Sequence, residues 1–319
     1  MMNIVACASD NYTMQCGVLF YSVCKNNADE EIQFFVITDK QFTEENKKKL
    51  HETINAFNNK NLRFITVEDW QIQQFLPFET YYYTRHVFYR LLMADLLPAY
   101  IDKALYLDCD IIVRHNISKL WDIDISNVAV ACIHDAQEGQ ISKFNRLGYP
   151  YEKGYFNSGV LLANLAFWRE KKLSERFSKY IKDNSHLIVL PDQDVLNAVL
   201  INEKKFIDFT YNLQSDFLFK VNGMDFEYIK YKDRIDSVRE DPVILHFSGA
   251  RPWTKGCLHP YKEEFFKYRS FTLWRNEPIW PHKRKLKRRI FDAMRKPLHR
   301  FGVSLIENYF DYSLKLKEK

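Results

Sequence analysis

The chain has 319 residues, of which 46% are hydrophobic and 16% aromatic, so one large domain or two ordinary ones fit and disorder is excluded over most of its length. No stretch nears the roughly 18 to 20 apolar residues that a bilayer crossing needs, and a secretory leader pattern is missing, so a protein kept inside the cell is expected. The net charge of +5 is uneven: residues 281–319 hold 12 Lys+Arg against 4 Asp+Glu, while the rest carries 34 against 37, which argues against a nucleic-acid-binding body.

In chain order, an apolar run over residues 3–8 precedes the polar turn Ser9-Asp10-Asn11, and apolar positions then recur at helical spacing to residue 23. Residues 32–37 predict a second strand and residues 43–57 a Glu- and Lys-rich helix capped by Thr43. Residues 62–67 predict a third strand. This alternation belongs to a parallel sheet with crossover helices, in which ligands bind at the carboxyl ends of strands, where the Ser9–Asn11 turn falls. A helix is expected over residues 84–97, ended by Pro98. Two apolar runs within residues 103–114 flank the carboxylates of Asp108 and Asp110. Buried strands are expected at 128–133 and 158–164, a helix over 165–181 and a last short strand at 243–247. The reading is one α/β domain over residues 1–280 followed by a basic tail, 281–319. The six cysteines lie far apart without a CxxC pair, which excludes zinc-finger spacing and a dense disulfide framework and predicts reduced, mostly buried thiols.

Asp108 and Asp110 end an apolar strand one residue apart, and alternation puts both carboxylates on one side. A D-x-D alone is a weak signal, but charge pairs seldom terminate buried strands. Two carboxylates suit a hard divalent ion such as Mn²⁺ or Mg²⁺, whose open positions suit diphosphate oxygens. His246 follows the last strand and is either a hydrogen-bonded edge residue or a third ligand. Gly249 would admit backbone amides to a phosphate, and Arg251 would meet its charge. Asn157, and Asp192 with Gln193 after Pro191, are either caps and turns or hydrogen-bonding groups for sugar hydroxyls. The abundant Phe and Tyr fill a core or provide stacking faces for a sugar or base. Dinucleotide, P-loop, zincin and α/β-hydrolase fingerprints are missing.

Taken together, the segments resemble retaining glycosyltransferase family 8. The matching pieces are Ile4-Val-Ala-Cys-Ala-Ser-Asp-Asn11-Tyr12, Arg90-Leu-Leu, Leu105-Tyr-Leu-Asp-Cys-Asp110, Leu120-Trp-Asp122, Tyr155-Phe-Asn-Ser-Gly-Val-Leu-Leu162, Asp192-Gln-Asp-Val-Leu-Asn197 and His246-Phe-Ser-Gly249. They keep the family's order over roughly residues 2–260. The resemblance implies a GT-A fold, with a Rossmann-like, mostly parallel sheet and flanking helices. It also implies a UDP-galactose or UDP-glucose donor, Mn²⁺ and retention of the α configuration. Its metal ligands fall on Asp108, Asp110 and His246, and its donor contacts on Ala8, Ser9, Asp10, Asn11, Tyr12, Arg90, Asp108, Cys109, Asp110, Gly249 and Arg251. Asn157, Asp192 and Gln193 answer to its catalytic and sugar-contacting residues, Gln193 on the sugar face opposite the leaving group. Ser9 departs from the acidic residue of many relatives, and the loop after His246 leaves either Arg251 or Lys255 for a pyrophosphate-binding lysine. The acidic residue after the strand at 128–133 falls on Asp135 or, in a competing alignment, His134.

The resemblance further implies a glycan or lipid-linked saccharide acceptor and work at the cytoplasmic face of the membrane. The basic, periodically apolar tail fits a peripheral attachment to anionic lipid there. Rival readings are a nucleotidyltransferase, whose glycine-rich basic N-terminal loop is missing, and a non-catalytic UDP-sugar or glycan-binding module.

Overall fold

A computed structural model of the chain describes residues 1–75, 85–136, 141–218, 233–249 and 251–281. Two sheets organise them. The larger has seven strands in the order β3-β2-β1-β4-β7-β6-β8, and the smaller three in the order β5-β10-β9. The large sheet comprises β1 (Met2–Cys7), β2 (Ile32–Thr38), β3 (Lys60–Thr66), β4 (Lys103–Leu107), β6 (Val130–His134), β7 (Phe156–Asn164) and β8 (Lys204–Phe206). The small one comprises β5 (Ile111–Val113), β9 (Leu213–Gln214) and β10 (Ile244–His246).

The large sheet is mostly parallel, as expected; β7 alone runs against both its neighbours, β4 and β6. Strands β1, β2 and β4 read as mostly apolar runs because both of their faces are covered. On β1, Ile4 and Ala6 enter one core cluster and Val5 the other; on β4, Leu105 and Leu107 enter the first and Ala104 and Tyr106 the second. Helix Thr13–Asn26 lies within the first cluster through Val18, Leu19, Phe20 and Val23. Thr43 caps helix Glu44–Asn55, its hydroxyl accepting from the Asn46 amide. All six cysteines are free thiols, four of them buried.

Three local expectations need correction. The single helix over 165–181 is two, Leu165–Glu170 and Leu173–Asn184, broken at Lys172 with φ 49°. Nine residues at about 100° each would put Trp168 and Phe177 on opposite sides of one helix. Both are buried in the same cluster, and the left-handed Lys172 makes that possible. The stretch expected as a helix over 84–97 winds as a 3-10 helix, Arg85–Leu92, before one α turn, Met93–Leu96, and residues Phe88 to Ala94 are all buried. Helix Ile141–Leu147 and helix Pro191–Val199 were not foreseen.

The chain between 257 and 281 is part of the same body. Helix Lys262–Ser270 and Trp274 join the core cluster that holds helix Thr13–Asn26. Residues 282–319, with every cation of the basic tail, lie outside the described residues, as does Ala250. No helix among the described residues is long and apolar enough to cross a membrane.

Gly17 marks the tightest contact of this closure. A Cβ there would sit 2.2 Å from Cζ3 of Trp274, a ring that is 3% exposed. Gly17→Ala is expected to destabilise the protein by about 1–3 kcal/mol through overpacking, despite the better helix propensity of alanine, and denaturant titration reads the shift.

Candidate active site

The Asp108-Cys109-Asp110 stretch lies where the chain leaves the large sheet for the small one. The Asp108 amide still donates to the Gly159 carbonyl of β7 at 2.9 Å, whereas the Asp110 carbonyl accepts from the Phe247 amide at 2.9 Å, just past β10. Cys109 is buried between them, its sulfur 3.4 Å from the Cys7 carbonyl oxygen of β1. The two carboxylates converge as alternation predicted, and His246 joins them: one ligand atom from each of Asp108, Asp110 and His246 lies within 4.8 Å of the others.

The histidine is aimed from behind. Its Nδ1 is 2.9 Å from Asn212 Oδ1, which turns Nε2 towards the carboxylates, 3.2 Å from Asp110 Oδ1 and 4.0 Å from Asp108 Oδ2. An acceptor on Nδ1 is the arrangement that leaves Nε2 for a metal. Gly159 makes the approach possible, since a Cβ there would stand 2.4 Å from His246 Cε1 and 2.9 Å from Asp108 Oδ2. Two carboxylates and an imidazole fit a divalent ion of the Mn²⁺ type, and about a quarter of each carboxylate side chain faces solvent.

The titrations follow from this packing. Burial pushes the Asp108 carboxyl up against the pull of Arg90, and the neighbouring Asp110 adds to the rise. For Asp110, burial is outweighed by the His246 charge and hydrogen bond, and its carboxyl is held below the usual range. His246 is raised in turn: burial opposes its charge, but Asp110 wins. Arg90 is buried and stays charged because Asp108 and Asp192 outweigh its desolvation. Its Nη2 donates to Asp108 Oδ1 at 2.8 Å, and its Nη1 donates to the Ser158 carbonyl at 3.0 Å and pairs with Asp192 Oδ2 at 3.0 Å. Tyr106 adds a hydroxyl to Asp108 Oδ1 at 2.7 Å and its ring to the guanidinium at 4.6 Å.

Asp192 and Gln193 stand in the first turn of helix Pro191–Val199, with Pro191 opening it, so they are neither loop nor cap. Gln193 Oε1 accepts from the Ser158 amide at 3.0 Å and from Asn157 Nδ2 at 3.2 Å, and its Nε2 donates to Asp135 Oδ2 at 3.1 Å. Asp192 accepts from the Ser158 hydroxyl at 2.6 Å. Asn157 Oδ1 accepts from Asn212 Nδ2 at 2.9 Å, so Asn212 connects this network to His246. Of the competing residues at the end of β6, Asp135 is the one in the network; His134, the last residue of the strand, stacks on Phe206 with ring centroids 3.5 Å apart. Asp194 has a different task, holding Arg146, Tyr155 and two backbone amides.

The loop Ala8 to Tyr12 borders the same carboxylates. Tyr12 is half-buried, edge-on to Trp253 and Trp280 at 6.3 and 5.8 Å. Burial raises its hydroxyl, the Arg251 charge opposes the rise, and Asp110 and Asp108 support it. The Arg251 charge thus acts on the Tyr12 hydroxyl, and the Lys255 backbone amide is bonded to the Trp280 carbonyl. Asp10 is committed elsewhere, its Oδ1 accepting from the Thr43 amide, the Thr43 hydroxyl and Asn46. Ser9 and Asn11 remain partly or fully exposed, and Ala8 is buried with its amide on the Ile37 carbonyl. Gly249 has φ +74°, a left-handed conformation that favours glycine.

Sequence reasoning missed Asn212, Tyr106, Ser158 as a side-chain partner, and Lys143, whose Nζ is 2.9 Å from Asp135 Oδ1. Tyr106 carried a faint signal, a polar tip two residues before Asp108 on a buried strand. The others carried none.

The profile described as Glycosyl transferase family 8 matches residues 3–257. General stress protein A of Bacillus subtilis is 32% identical over 279 residues, 86% of this chain and 95% of that protein. The lipopolysaccharide 1,2-glucosyltransferase of Escherichia coli K12 is 28% identical, over 81% of this chain and 75% of its own. The crystal structure of the galactosyltransferase LgtC with donor and acceptor sugar analogs superposes with a TM-score of 0.75 at 26% identity, covering 86% of this chain and 99% of that one. A further structure of LgtC carries an active-site glutamine-to-glutamate change. With the sheet order, the convergent carboxylates and this match over most of its length, the chain belongs to glycosyltransferase family 8 and has its GT-A fold.

Proposed function

We propose that the protein moves galactose or glucose from a UDP-sugar to a glycan or lipid-linked saccharide acceptor, with retention of the α configuration, in cell-surface polysaccharide or lipopolysaccharide synthesis. One observation carries the reading: Asp108, Asp110 and His246 converge on one point and, through Asn212, continue into the Asn157–Gln193–Asp135 network. A diphosphate end and a sugar end are thus built as one unit. The relatives support both donors, one being a glucosyltransferase and another a galactosyltransferase.

Asp108, Asp110 and His246 would hold Mn²⁺, which when bound supplies positive charge against the diphosphate. Arg251 at the rim adds a cation for charge developing on the leaving UDP. Tyr12 offers a ring face to the base, edge-packed by two tryptophans. Arg90 is a buried brace that fixes Asp108 and Asp192 together. Gln193 Oε1 already accepts two N–H bonds, which withdraws electron density and makes it a poor nucleophile. That favours same-face attack by the acceptor over a covalent sugar–enzyme species. The active-site glutamine of LgtC supports a functional amide here.

Incubation with UDP-glucose or UDP-galactose and Mn²⁺ tests the reading. Slow hydrolysis of one donor is expected, and binding of both without turnover points instead to a non-catalytic module. Asp110→Ala is expected to remove most turnover and weaken Mn²⁺ binding in a titration while the fold is kept; full activity in excess EDTA would refute the metal site. Gln193→Ala is expected to retain slight turnover with an α product, and a sugar trapped covalently on Gln193 in the native enzyme overturns same-face attack. The basic tail we assign to anionic lipid at the inner face of the membrane, at about 1 kcal/mol per cation near the surface. Truncation after Pro281 should leave donor hydrolysis intact and abolish binding to anionic vesicles at low ionic strength; equal binding by both forms would count against it.

A further inference from the structure

Lysine ammonium groups are rarely buried, because desolvation is costly without a partner. Among the described residues two lysines are buried, Lys60 and Lys143. Lys60 holds together a turn, donating to the carbonyls of Ala28, Glu30 and Asn58. Lys143 instead points into the active site. It comes from helix Ile141–Leu147, is 8% exposed, lies 5.0 Å over the Tyr155 ring and places Nζ 2.9 Å from Asp135 Oδ1.

The consequence runs through Asp135 to Gln193. A carboxylate that holds an ammonium on one oxygen presents the other as an acceptor. Asp135 Oδ2 receives Gln193 Nε2 at 3.1 Å and Asn157 Nδ2 at 3.5 Å. An amide can fill its site in two orientations half a turn apart, and an acceptor on one side admits only the N–H₂ end. That leaves Oε1 on the Ser158 amide, as observed at 3.0 Å. The two halves of the amide are therefore fixed by a backbone donor on one side and by the Lys143–Asp135 pair on the other.

We propose that Lys143 is a positioning residue that sets the orientation of the Gln193 amide through Asp135, and hence the face the site presents to the anomeric carbon of the donor sugar. This rests on the reading of Gln193 as the group opposite the leaving UDP. Lys143 touches no reacting atom; it acts two bonds removed.

The test compares the native full chain with Lys143→Met, Lys143→Arg, Asp135→Asn and the double variant Lys143→Met/Asp135→Asn. Misplacement of a reacting group by about an ångström costs on the order of 10²-fold, so Lys143→Met should lower kcat for donor hydrolysis by about that factor while KM for the UDP-sugar moves by less than about threefold. Lys143→Arg, which keeps the charge, should recover most of the loss. The double variant should be no slower than Asp135→Asn alone, because one residue acts through the other. Side-chain amide exchange at Gln193, read by NMR, should be slow in the native protein and in Lys143→Arg and fast in Lys143→Met. An unchanged kcat in Lys143→Met, additive losses in the double variant, or amide protection that survives Lys143→Met would each overturn the proposal. Should Lys143→Met fail to fold, the Arg variant and the comparison of Asp135→Asn with the double variant still decide. A native protein that turns over no UDP-sugar sinks the proposed reaction, and the amide exchange then judges Lys143 by itself.

Discussion

A guanidinium that is 6% exposed must be paired or it unfolds its surroundings, and the site of this enzyme is arranged around that demand. Arg90 draws Asp108 from the end of β4, Asp192 from the start of helix Pro191–Val199 and the Ser158 carbonyl from β7 to one point. Breaking such a buried pair by deleting one partner typically costs about 3–5 kcal/mol. Each carboxylate is thus anchored before any ligand arrives, and the geometry that a diphosphate and a sugar would meet is set by the fold.

The reversed strand β7 is what lets one arginine do this. Because it runs antiparallel beside β4, the residues opposite the carboxyl end of β4 come from the beginning of β7, at Asn157, Ser158 and Gly159. A parallel neighbour would have presented its far end there. Three successive residues then divide the work: Asn157 meets Asn212 and Gln193, Ser158 meets Arg90, Asp192 and Gln193, and Gly159 leaves room for the His246 ring. Pre-organisation of this kind lowers the reorganisation needed during reaction.

The parts visible in the sequence were those whose chemistry conflicts with their surroundings. Two aspartates closing a buried strand, and a histidine closing another, stand out against apolar runs, so these residues were readable as candidates, while their grouping as one ligand set came from the family resemblance. The centre of the sheet was readable because both faces of its strands are buried. What stayed hidden depends on distant segments meeting. Asn212 is an ordinary polar residue between Tyr211 and Leu213, and only the pairing of β9 beside β10 puts it behind His246. Lys143 lies in a helix with too little periodicity to be foreseen. The single helix expected over 165–181 shared one apolar period with the two real ones, and the left-handed Lys172 that divides them has no side chain that announces it. Asp135 and His134 are adjacent, and a register shift in β6 beside β7, between Cys132 and Ile133, precedes them, which is where spacing alone cannot choose.

Trp280 bears on the chain that follows it. Its amide and carbonyl bond the Trp253 carbonyl and the Lys255 amide at 2.7 and 2.9 Å, and its ring abuts Tyr12. The last described residue, Pro281, therefore departs from beside Tyr12 and Trp253, at the edge of the candidate site, and not from a remote surface. Strain on the chain at Pro281 would be felt first by the Trp253–Trp280–Tyr12 contact, which couples the end of the described fold to one wall of the candidate site.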